Sequence, residues 1–94
     1  MDHSNGCFPW VIYVVKTVHD EFEKNKCHVW CSIVKEPAEK IEVRGVYKSN
    51  ISELGEAFYV SLTKKLQTEY EGIAFDVEIS DVNDTVYVSW HKIV

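Results

Sequence analysis

The order in which apolar-patterned runs follow one another constrains this chain more than any other feature. Five runs read as strands: Trp10–Val18, Cys27–Lys35, Lys40–Lys48, Phe75–Ser80 and Thr85–Val94. A single helix, Ile51 to Tyr70, divides the first three from the last two. Its start carries a capping signal, because Asn50 suits an N-cap and Glu53 three residues later reaches back to the Asn50 amide. Ile51, Leu54, Phe58, Leu62 and Leu66 then recur at helical spacing, and Glu71-Gly72 supplies the stop.

Phe75, Val77 and Ile79 alternate with Asp76, Glu78 and Ser80, the pattern of a strand with one buried and one wet face. Trp10-Val11-Ile12-Tyr13-Val14-Val15 is apolar at every position, which reads as a central strand covered on both faces. His19–Lys26 and Glu36–Glu39 are short connections, with Pro37 marking a turn, so the first three strands form a meander. A helical crossover then leads to the fourth strand. The expected fold is α+β: a five-stranded mixed sheet of order 3-2-1-4-5 with one helix packed on one face. Residues 1–94 make one domain, with 1–8 a flexible N-terminal segment, and no internal repeat is visible.

Composition narrows function by exclusion. Fifteen acidic against ten basic residues, a net charge of −5 and a single arginine, Arg44, argue against a protein that holds nucleic acid through its phosphates. No apolar run approaches the ~20 residues that span a bilayer, and the opening residues lack the pattern of a secretion signal. The chain therefore reads as cytoplasmic, or as resident in a host cytoplasm if virus-encoded. Three cysteines form no disulfide framework. Cys27 and Cys31 on one strand would lie roughly 13 Å apart, too far to bond or to share a metal. Cys7 and His3 are the remaining candidates for adventitious metal binding, and no cofactor is implied.

Ser49-Asn50-Ile51-Ser52-Glu53-Leu54 and Ile79-Ser80-Asp81 add a resemblance. With the element order, they resemble the first half of the ribonuclease H-like fold over residues 10 to 81. The resemblance implies Glu53 and Asp81 as catalytic carboxylates, with Asp76 or Asp84 as helpers. The family's first strand also carries a metal-anchoring aspartate, where this chain has about Val15, and its later helices have no counterpart. The resemblance implies a catalytically inactive relative, with a metal-dependent nuclease or a nucleic-acid-binding relic of one as the alternative.

Alternation places His28, Trp30, Ser32, Val34, Arg44, Val46, Tyr87, Ser89 and His91 on the sheet face away from the helix. Aromatic residues and arginine are typical anchors of protein interfaces. The reading is a small acidic non-enzymatic protein-binding module, of the inhibitor or immunity type, acting through a sheet face or edge. Trp30, Arg44, Tyr87 and His91 are the contact residues, with Trp90 joining them if the register differs by one. The partner is another protein or a second copy of the chain.

Overall fold

The computed structural model describes residues 10–36, 38–46, 51–80 and 84–93, and of Ser52 the backbone alone. The elements run α1 (Val11–Lys24), β1 (Val29–Val34), β2 (Lys40–Gly45), a 3-10 turn (Ile51–Glu53), α2 (Glu56–Glu69), β3 (Ile73–Ser80) and β4 (Thr85–Lys92). The strands form one antiparallel sheet of order β1-β2-β4-β3. The class is α+β, but the five-stranded mixed sheet of order 3-2-1-4-5 with one helix is overturned. Residues 10–18 are not a central strand. They begin a helix that runs on through the expected loop to Lys24.

Two energies decide that segment. Val11, Ile12, Val14, Val15, Thr17 and Val18 are β-branched and cost at most ~0.7 kcal/mol each in a helix. As a helix, however, the segment places Val11, Val14, Val18 and Phe22 on one side, all fully buried. Burying each contributes ~1.5–3 kcal/mol, so tertiary burial outweighs local propensity. The acidic run His19–Glu23 supplies the helix's last two turns. Lys16 Nζ donates to Asp20 Oδ2 at 3.1 Å, and Lys65 Nζ of α2 reaches Glu21 Oε2 at 2.8 Å.

The end of α1 explains why the sequence shows no stop signal there. The Cys27 N–H donates to Phe22 O and the Lys26 N–H to Glu23 O, the paired bonds of a Schellman closure. The left-handed position of that motif, normally glycine, is Lys26 at φ 64°. The second helix also differs from expectation. The anticipated single helix from Ile51 is broken at Gly55, whose φ of 85° and ψ of 163° suit glycine alone. Glu53 therefore sits in a separate turn, while Asn50 and Pro37 lie outside the described residues, as do residues 1–8.

Both helices cover one sheet face. Val14, Val18 and Phe22 of α1 and Tyr59, Leu62 and Leu66 of α2 form one core with Val29, Ile41, Val43, Phe75, Val86 and Val88. The helices run antiparallel. Phe22 meets Phe58 at a centroid distance of 5.0 Å at one end, and Trp10 meets Tyr70 at 5.9 Å at the other. Helix–strand–strand thus occurs twice, the two units facing each other across the β2–β4 pair. The repeat is invisible in residue identities but present in burial: Val11, Val14, Val18 and Tyr59, Leu62, Leu66 share the same three-then-four spacing.

The two left-handed positions respond in opposite directions. Lys26→Gly relieves a side chain held at positive φ and raises stability by about 0.5–1 kcal/mol. Gly55→Ala lowers it by about 1–3 kcal/mol, although no atom lies within 4 Å of the added Cβ, because the backbone alone is strained. Urea unfolding midpoints of the two variants check both signs.

Candidate protein-binding face

Strand register fixes which side chains leave the core. Ile41 pairs with Val88 and Val43 with Val86, all buried, so their sequence neighbours point to the opposite face. Across that face Trp30 lies opposite Arg44, Glu42 opposite Tyr87, and Lys40 opposite Ser89. Trp30 is 67% exposed, an unusual state for the largest apolar side chain.

A polar network holds the centre of the face. Glu42 Oε2 accepts from Arg44 Nη2 at 3.2 Å and from the Tyr87 hydroxyl at 3.3 Å. Lys40 Nζ stands 4.4 Å from the centroid of the Tyr87 ring. The ring is therefore held from two directions, by a hydrogen bond at its tip and a cation over its face. The structure brings Trp30, Arg44 and Tyr87 into one contiguous cluster. His91 shares their face but lies four residues along β4 from Tyr87, roughly 13 Å away. Trp90 points the other way and packs on Trp10 at 5.4 Å and Phe75 at 6.4 Å.

Sequence reasoning misses Lys40 and Glu42, although the alternation that places Arg44 outside also applies to both. Strand alternation over residues 10–15 turns either Ile12 or Tyr13 outward but not both, whereas on α1 they are 68% and 66% exposed together. On β2 Glu42 stands between Lys40 and Arg44 and pairs with Arg44, while Asp76 and Glu78 make β3 negative on the same face.

The catalytic alternatives are scattered. Glu53 is exposed in its 3-10 turn, Asp76 faces outward from β3, and Asp84 sits in the turn before β4 at φ 50°. Asp81, Cys7 and His3 lie outside the described residues. Among the described residues no group of three or more His, Cys, Asp or Glu is placed to hold a metal ion. Glu23 Oε2 lies 3.7 Å from His19 Nε2 and 3.4 Å from His28 Nδ1, a surface cluster without a nucleophile in it. A groove of about 600 Å³ between α2 and β3 is lined by Tyr59, Val60, Lys64, Asp76 and Val77. Neither His nor Cys lines it.

Cys27 and Cys31 are free thiols. Burial pushes the Cys31 thiol up to about 11, which removes the thiolate that nucleophilic chemistry requires. Burial likewise pushes the Tyr59 phenol up to about 12, its hydroxyl donating to the Ile51 carbonyl at 2.6 Å. In the α1–α2 seam, the Lys65 hydrogen bond holds the Glu21 carboxyl below its usual value, against a smaller opposing effect of burial. No helix among the described residues is long and apolar enough to cross a membrane. Comparison with known proteins finds no matching family model, no matching curated protein and no matching solved structure.

The two raised values set an alkaline limit. Unfolding frees both groups to ionise at their ordinary values, 9.0 and 10.0, whereas the folded chain keeps them protonated. The unfolded state binds fewer protons in that window, so stability declines as pH rises from about 9 toward 12. Thermal unfolding across this range shows the decline, and Cys31→Ser flattens its lower part. Iodoacetamide at pH 8 labels Cys31 far more slowly than a free thiol; labelling at the free-thiol rate contradicts the buried environment.

Proposed function

We propose that this chain is a non-enzymatic protein-binding module, and that the sheet face opposite the helices is its recognition surface. Trp30, Arg44 and Tyr87 anchor the partner, and His91 extends the contact along β4. The observation that carries this reading is the exposed Trp30 beside Arg44, next to a tyrosine already held in place by Glu42 and Lys40. Tryptophan, tyrosine and arginine dominate binding hot spots, and a side chain ordered before binding loses less entropy on contact. The mixed charge of the face, together with the net charge of −5, favours a protein partner over a polyanion. An inhibitor or immunity-type role is one form such a module takes.

Two alanine variants test the reading once a partner has been captured by the wild-type chain and purified. Trp30→Ala and Arg44→Ala each weaken binding by about tenfold or more in calorimetry, with melting temperatures near that of the wild type. Glu53→Ala binds as the wild type does. Unchanged affinity in both face variants overturns the assignment. Divalent-ion-dependent cleavage of nucleic acid that Glu53→Ala abolishes replaces it with the ribonuclease H-like alternative.

A further inference from the structure

Edge strands expose a row of unpaired backbone groups, and proteins guard them with charge, proline or a covering segment. This sheet has two edges, β1 and β3, and they are guarded unequally. Hydrogen-bond phase shows which groups each presents. The Val46 N–H donates to the His28 carbonyl at 2.8 Å, so His28 and Val46 are a bonded pair. Counting along the register in steps of two, Trp30, Ser32 and Val34 bond inward to β2. The N–H and C=O groups of Val29, Cys31 and Ile33 therefore point out along an edge that no other strand among the described residues pairs with. On the other side the Ile93 N–H bonds to Gly72 O, which turns Ile73, Phe75, Val77 and Ile79 outward in the same way.

The edges differ in charge. A two-fold antiparallel pairing of β3 with its own copy about Val77 would set Asp76 opposite Glu78, and like charges directly opposed are destabilising. β1 reads Val-Trp-Cys-Ser-Ile-Val, with no charge and no proline. Beside it runs a groove of about 480 Å³, bounded on α1 by Ile12, Val15, Lys16, His19 and Asp20, the last ion-paired with Lys16. Ile12 stands 68% exposed in its wall. The groove leaves space for the inward-facing side chains of one more strand.

From this we infer that β1 pairs antiparallel with β1 of a second copy of this chain, joining two sheets into one of eight strands. A two-fold axis at Cys31 sets Cys31 opposite its own copy and Val29 opposite Ile33 within the extended inner layer. On the outer face it sets Trp30 opposite Ser32, whose small side chain leaves room for the indole. Each contact is apolar against apolar or large against small, and no like charges meet along the strand. The pairing shares Trp30 with the binding face but leaves Arg44 and Tyr87 outside it, so variants at Cys31 and at Tyr87 tell the two apart.

Amide exchange read by NMR at rising protein concentration, alongside sedimentation equilibrium, tests the pairing. The Cys31 amide gains protection in step with the dimer, while those of Trp30 and Ser32 are protected throughout. Cys31→Pro deletes an outward N–H that β2 does not use, so β1 itself persists. It removes the two hydrogen bonds exchanged at the axis and raises the dimer dissociation constant at least about thirtyfold. Cys31→Ser, which keeps the N–H, still dimerises. A chain that stays monomeric with a fast-exchanging Cys31 amide overturns the inference. So does a dimer indifferent to Cys31→Pro, or one lost in Tyr87→Ala, which is a face-to-face assembly. Protection of Cys31 that appears only on adding a different protein also overturns it, by giving the edge another occupant.

Discussion

Burial of the Val14, Val18 and Phe22 stripe against the inner sheet face, with Val11 buried at the start of the same helix, is the constraint from which the other features follow. It draws residues 11–24 out of the sheet and into the helical layer. With them gone, β2 and β4 become neighbours, and the sheet closes as two hairpins joined at its centre. The same helix supplies one wall of the groove along β1 and, through Glu21, an ion pair to α2. That pair is partly exposed, and contributions of such pairs are typically below ~1 kcal/mol. Apolar packing between the helices and the sheet therefore stabilises the fold more than the ion pair does.

Putting both helices on one side leaves the other side of the sheet without a second layer among the described residues, and its chemistry follows from strand parity. Every second residue of β2 and β4 is committed to the core, so Lys40, Glu42, Arg44 and Tyr87 are brought side by side without any loop to arrange them. Groups on rigid strands hold their positions better than groups on loops, which suits recognition of a partner surface. Enzymatic chemistry would ask for a nucleophile or a carboxylate set in a hollow. The described hollows do carry carboxylates, Glu56 and Asp76 in one and Asp20 in the other, but among the described residues no three His, Cys, Asp or Glu are grouped to hold a metal ion, and the thiol bordering the second hollow is held protonated by burial.

The strands after residue 27 are legible in the sequence because one-sided burial imposes a two-residue period, which Ile41–Val43 and Val86–Val88 display plainly. Parity alone therefore puts Trp30, Arg44, Tyr87 and His91 on the same face. Residues 10–18 are not legible, because apolar side chains at nearly every position satisfy a strand and a helix equally. Phe22, four residues past Val18, carries the helical spacing onward, but it is embedded in the acidic run His19–Glu23. The helix end is hidden as well, with Lys26 where glycine usually stands. Farther along, the stripe Ile51, Leu54, Phe58 continues smoothly across Gly55, so side-chain spacing gives no sign of the backbone break there.

Backbone carbon chemical shifts of residues 11–24, measured on the full chain by NMR, decide whether this segment is helix or strand. A continuous helix gives positive Cα secondary shifts from Val11 to Lys24, with the change of sign falling at Lys26–Cys27. Negative shifts from Val11 to Val18 would return that segment to the sheet, and with it would go the open face and the uncovered β1 edge.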